Sequence, residues 1–194
     1  MKNKLTLLFA ILLFAGQLFA QKNFGIGLVL GGSVGKMAQV EDSFGRKLDQ
    51  NRQLSYFGVA ANIRTNTMAV GSGGVGLSFP LTIGYGNGAI YYDVASTVQY
   101  QLGALSHIDN IEKKGYFIGA GVGLVHGKWN PVVEGTSAVP AKTVTSITPM
   151  FEAGFRARVG RAEAYTETNL FYKINSNPNE KHNIYGIRLI HYFK

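Results

Sequence analysis

Apolar and polar positions alternate with a period of two along most of this chain. Between residues 74 and 103 the apolar set is first odd-numbered: Val75, Leu77, Phe79, Leu81, Ile83 and Tyr85. After Asn87-Gly88 it becomes Ile90, Tyr92, Val94, Val98, Tyr100 and Leu102. A period of two predicts strands, and Asn-Gly between two such runs predicts a hairpin with a two-residue type I′ turn. That turn pairs Tyr85 with Ile90, Ile83 with Tyr92, Leu81 with Val94 and Leu77 with Val98. Each large apolar residue then shares a face with its partner, so the change of parity is the register itself.

Six further segments alternate in the same way, which predicts eight strands. The first carries Phe24, Ile26, Leu28 and Leu30 on its apolar face, and the second Phe57, Val59, Ala61 and Ile63. The fifth carries Tyr116, Ile118, Ala120, Val122 and Leu124, and the sixth Ile147, Phe151, Ala153, Phe155 and Val159. The seventh, with Ala164, Thr166, Thr168, Leu170 and Tyr172, is the weakest; the eighth has Tyr185, Ile187, Leu189 and Phe193. The opposite faces hold glycine, Asp, Glu, Gln and Arg, which a dry core of this length could hardly carry. A soluble β-sandwich or lipocalin-like barrel is therefore disfavoured. The strands of the opening hairpin match the roughly 9–11 tilted residues that cross a bilayer, and lipid tolerates no open sheet edge. The expectation is an all-β fold, an eight-stranded antiparallel transmembrane β-barrel in an up-and-down meander.

With both termini inside, the outer loops fall at 36–53, 86–89, 127–142 and 174–182, and the inner turns at 65–73, 103–115 and Gly160-Arg161. Aromatics on the apolar face gather toward two rims, Phe24, Tyr100, Tyr116 and Phe193 at one and Phe57, Tyr85, Tyr92, Tyr172 and Tyr185 at the other. Two interfacial girdles are expected from this. Pro80 and Pro149 each remove a ladder donor and count against perfect regularity, and local bulges there would be tolerable.

The first twenty residues change the compartment. A basic MKNK, an apolar LTLLFAILLFAG and a small-residue end at QLFA predict a secretory signal peptide over 1–20, leaving 21–194 as the outer-membrane barrel. With no cysteine in the chain there is no lipid-anchored Cys, disulfide or thiolate metal site. Taking Lys2 and Lys4 from the 19 basic residues leaves 17 against 11 acidic. The surplus is scattered along an exported chain, so phosphate-bearing lipid rather than nucleic acid is the expected anionic partner. Beyond outer-membrane lipid and lipopolysaccharide, other outer-membrane proteins are candidate partners. No cofactor and no metal are expected.

The signal peptide, the eight alternating strands, the long outer loops and the aromatic-rich closing GIRLIHYFK resemble the small outer-membrane barrels of the OmpA/OmpX-like porin superfamily. The likeness covers residues 22–194 and is one of pattern; Phe193 is penultimate here, where such barrels often end on the aromatic. It implies insertion in the outer membrane of a Gram-negative cell.

The inward face carries the candidate chemistry. An eight-stranded barrel has an interior just wide enough for side chains to fill. If Gly160-Arg161 is a two-residue turn, Arg158 sits opposite Glu163, Arg156 lies diagonal to Glu163 and Glu167, and Glu152 faces Asn169. Arg188 on the neighbouring last strand joins them. Arg–carboxylate forks in a confined lumen are strong, oriented contacts, so Glu152, Arg156, Arg158, Glu163, Glu167 and Arg188 form the expected lumen network. Glycine-rich inward faces on strands one and five complement the bulky inward Tyr56, Tyr91, Tyr165, Phe171 and Tyr192. The favoured reading is a plugged barrel with a structural or loop-mediated interaction role, as a component of a larger outer-membrane assembly; the alternative is a narrow porin-like channel.

An enzyme that modifies lipid A would need a His with a Ser and an acid at the outer rim. His126 is the one histidine of the four at the outer end of a strand, its parity points to lipid, and no Ser or acid falls beside it. No catalytic residue is assigned. Phe44 in loop 36–53 and Trp129 in loop 127–142 are candidate contact residues, since apolar groups on exposed loops can mark an interface; Trp129 fits a girdle position equally well.

Overall fold

In the computed structural model, the described residues are 21–41, 47–104, 106, 112–131, 142–159, 164–175 and 181–193. They form eight strands: β1 Gln21–Glu41, β2 Lys47–Val70, β3 Gly73–Gly86, β4 Ala89–Gly103, β5 Lys114–Pro131, β6 Lys142–Arg158, β7 Tyr165–Ile174 and β8 Lys181–Phe193. Every strand is antiparallel to the next, and β8 pairs back onto β1, so the sheet closes into a barrel. The signal-peptide segment 1–20 lies outside the described residues.

The β3–β4 hairpin has the expected register, with Gly86 opposite Ala89, Tyr85 opposite Ile90 and Val75 opposite Tyr100. Asn87 and Gly88 both take positive φ, 53° and 77°, as a type I′ turn requires. Apolar side chains of the outward face are exposed on every strand: Leu28 at 64%, Phe57 at 66%, Ile118 at 63% and Ile147 at 69%. Their inward neighbours are buried or half-buried. Such a wall hides its polar groups and shows hydrocarbon to its surroundings, the inverse of a soluble domain.

Several boundaries differ from the sequence-based expectation. The segment 36–53 is largely ladder, because β1 and β2 stay paired out to Glu41 and Lys47. The inner turn 65–73 shrinks to Gly71-Ser72 between β2 and β3. Both stretches are polar, and a backbone ladder in water needs no apolar side chains, so the alternation fades before the strand ends. Segment 127–142 likewise splits into the ends of β5 and β6, with 132–141 outside the described residues. No register shift occurs at either proline. Val122 faces Pro149 in unbroken register, and the β3–β4 register is the same on both sides of Pro80. A missing N–H interrupts a ladder without adding a residue to it. The shifts fall instead between Lys36 and Ala38 and between Asn66 and Met68.

Beyond the short β3–β4 hairpin, its neighbours meet directly: Arg52 pairs with Pro131 and Gln53 with Asn130. Asn87 ties the hairpin tip to both, its Nδ2 donating to the carbonyls of Gln53 at 2.7 Å and Lys128 at 3.0 Å. Two strands therefore drop out of the wall at this level, and the outer mouth is drawn in.

Candidate functional site

The lumen is the place where the chain concentrates its chemistry, and it is filled in three layers. The central layer holds Asp93, Glu152 and Glu167 with Arg64, Arg156, Lys173 and Arg188, all buried. Each comes from an inward position of an alternating strand, which is why groups far apart in sequence meet. Arg156 donates through Nε to Glu167 Oε2 at 2.6 Å and through Nη2 to Gln99 Oε1 at 3.0 Å. Gln99 passes the contact on, its Nε2 donating to Glu152 Oε1 at 2.7 Å. Glu152 also accepts from the Thr97 hydroxyl and, on Oε2, from Asn169 Nδ2 at 2.8 Å. Arg188 bridges Glu152 at 3.6 Å and Asp93 at 3.3 Å, and Lys173 pairs with Asp93. Arg64 approaches Glu167 at 3.7 Å. The result is one chain of alternating sign running from Arg64 to Lys173.

Aromatic faces back the guanidinium groups. Arg156 lies 4.1 Å from the Phe117 ring centre and Arg188 4.1 Å from that of Phe171. A desolvated guanidinium over a ring gains electrostatic attraction that an alkyl neighbour would not supply. Beside them, Ser78 donates to Asn62 Oδ1 at 3.0 Å and Asn62 Nδ2 to the Tyr192 hydroxyl at 2.6 Å.

The outer layer is apolar. Tyr56 and Tyr91 stack with ring centres 3.8 Å apart, and Leu54, Val125, Trp129, Val144, Met150 and Ile184 close around them. Gly31 stands where the Tyr56 ring crosses β1, so close that a Cβ there would collide with the ring. The inner layer comes from the β4–β5 turn. Ala104 and Ser106 are fully buried, and the Ser106 carbonyl packs against inward-facing Gly74 with no room for a Cβ. Ala104 and Ser106 thus turn inward and pack at the inner mouth.

The site residues expected from sequence fare unequally. Glu152, Arg156, Glu167 and Arg188 meet in the central layer. Arg158 is half-buried at the inner rim, where its N–H donates to the Lys113 carbonyl at 2.7 Å. Glu163 and Phe44 lie outside the described residues. The assumed β6–β7 register is corrected: Arg156 faces Glu167, Arg158 faces Tyr165 and Glu152 faces Phe171. The connection is six residues, 159–164, rather than the pair Gly160-Arg161, and each partner moves by two. Trp129 is also corrected, being fully buried inside the barrel rather than exposed on a loop. β5 continues past His126 to Pro131, and Trp129 keeps the inward parity of Val125. Asp93, Lys173 and Arg64 were missed as network members, although their parity already placed them inward. His126 stacks on Tyr92 with ring centres 4.5 Å apart and lies 2.7 Å from the Thr145 hydroxyl.

Neither a protein-family model nor a curated protein matches this chain. Among solved structures, it is similar to Neisserial surface protein A at 12% identity and a TM-score of 0.52, over 90% of this chain and 99% of that one. It also aligns with Ail, the attachment invasion locus protein of Yersinia pestis, in complex with the heparin analogue sucrose octasulfate, at 15% identity and a TM-score of 0.46. That alignment covers 90% of this chain and 99% of the other. The fold is therefore the closed eight-stranded antiparallel barrel that Neisserial surface protein A displays.

Proposed function

We propose that this protein is an outer-membrane β-barrel, exported on a cleaved signal peptide, whose lumen is closed and whose role is structural or interactive. The observation that carries the reading is the continuous filling of the lumen: turn, ion-pair network and apolar layer in sequence from inner to outer mouth. An ion crossing it would have to displace charges that are already paired with one another, then pass stacked rings that offer it no hydration. The reading is non-catalytic. Its partners are the surrounding lipid, including lipopolysaccharide, and other outer-membrane proteins that meet the segments 36–53 and 127–142 at the outer mouth.

Purified protein in a planar bilayer tests it. No steady conductance is expected. Sustained ion-selective current that changes when Arg156 or Asp93 is neutralised would replace this reading with the narrow channel.

A further inference from the structure

Near the inner rim, the register lines up four outward-facing residues in one row across four strands. Lys114 of β5 pairs with Ala157 of β6, Ala157 with Thr166 of β7, and Thr166 with His191 of β8. The next row toward the middle of the barrel is Tyr116, Phe155, Thr168 and Leu189, with Tyr116 63% and Phe155 50% exposed. An ammonium group, a hydroxyl and an imidazole thus follow directly on two exposed aromatic rings. The His191 Nδ1 lies 3.2 Å from the Thr166 hydroxyl, and the His191 ring meets Phe193 edge-on at 5.0 Å.

The row is not flat. A groove of about 320 Å³ opens between β5 and β6, lined by Lys114, Gly115, Tyr116, Phe155, Arg156 and Ala157. In the row, small Ala157 borders this groove and half-buried Thr166 lies beside it, with exposed Lys114 at one end and half-buried His191 at the other. With strands about 4.8 Å apart, Lys114 and His191 stand about 14 Å from each other. Lys113 adds a second exposed cation beside Lys114. Glu112 packs by Gly103 on the turn rather than in the row.

We propose that this row is a binding site for the phosphate headgroup of an anionic glycerophospholipid of the inner leaflet. Lys114 meets the phosphate, Thr166 and His191 offer it polar neighbours, and an acyl chain descends across Tyr116 and Phe155. The charge of the row is complementary to a phosphate, and its lower edge is continuous with the lipid-facing wall. Cations and aromatic rings at one membrane boundary supply both halves of such a lipid. The inference rests on the outer-membrane reading given above.

Native mass spectrometry of the detergent-purified barrel, with added phosphatidylglycerol or with a diacylglycerol of the same chains, provides the test. The wild type should retain phosphatidylglycerol and release the diacylglycerol. Lys114→Glu should weaken retention about tenfold, the effect expected when a cation near the headgroup plane becomes an anion. Ala157→Phe, which fills the groove, should weaken it as well. Lys114→Arg, and Ala120→Phe elsewhere on the lipid-facing wall, should bind as the wild type does. Equal retention of the diacylglycerol, or Lys114→Glu binding like Lys114→Arg, overturns the site. If Ala157→Phe does not give the folded band on unheated gels, the two Lys114 variants still decide. A protein that is soluble without detergent sinks the outer-membrane reading instead, so the two failures are told apart.

Discussion

The central and outer layers of the lumen close the same barrel by different physics. In the central layer each group depends on partners from other strands: Glu152 needs Thr97, Gln99, Asn169 and Arg188 together. Direction and charge matter there, and changing one member takes a partner away from at least one buried charge. In the outer layer Tyr56, Tyr91, Trp129, Met150 and Ile184 are held by shape, and what matters is that volume is filled. The first layer should be brittle and specific, the second tolerant of exchange between residues of equal size.

The largest effect that would break this contrast lies at Asp93. Asp93→Ala leaves Lys173 and Arg188 without the carboxylate they share, and removing one partner of a buried pair costs on the order of 3–5 kcal/mol. Urea unfolding of the barrel in lipid should show that loss, and an unchanged midpoint would mean that the network does not support the wall. Trp129→Ala in the outer layer should cost about 3 kcal/mol through its cavity. Met150→Leu nearby should stay within about 1.5 kcal/mol, because volume is conserved. A Met150→Leu loss as large as that of Asp93→Ala would erase the distinction between the layers.

A double-mutant cycle sharpens it. Arg156→Met and Glu167→Gln should couple by about 1–3 kcal/mol, whereas Arg156→Met and Trp129→Ala, in different layers, should add within about 0.5 kcal/mol. The smallest expected effect concerns the seam above the short hairpin. Asn87→Gly keeps the positive φ but removes both side-chain bonds to β2 and β5, a cost of about 1 kcal/mol. Faster hydrogen exchange at Gln53 and Asn130 is the reading that checks it, and unchanged exchange would show the seam to be independent of Asn87.

Alternation alone told which side chains face the lumen, because a strand offers just two faces and the apolar set occupies one of them. The β3–β4 register was equally legible, since an Asn-Gly turn of two residues leaves no freedom. Pairing across β6–β7 was not. Gly160-Arg161 resembles a tight turn, but the connection runs over 159–164 and displaces every partner by two. A shift of two preserves parity, so Arg156, Glu167 and Glu152 were still read as inward while their mates were misassigned.

Asp93, Lys173 and Arg64 show the same limit from the other side. Each carried inward parity in the sequence, yet their partners lie on strands far away along the chain, 95 positions in the case of Asp93 and Arg188 and farther still for Arg64 and Glu167. Trp129 needed one more fact, namely that the ladder of β5 continues beyond the last apolar alternation. The chain by itself thus determined the strands, their two faces and the one hairpin whose turn admits a single geometry. The tertiary structure alone decided which charges meet, where Ala104 and Ser106 pack, and how β2 and β5 close over the hairpin. A period of two is a local property of the backbone, whereas the height at which strands pass one another is settled only when the sheet closes on itself.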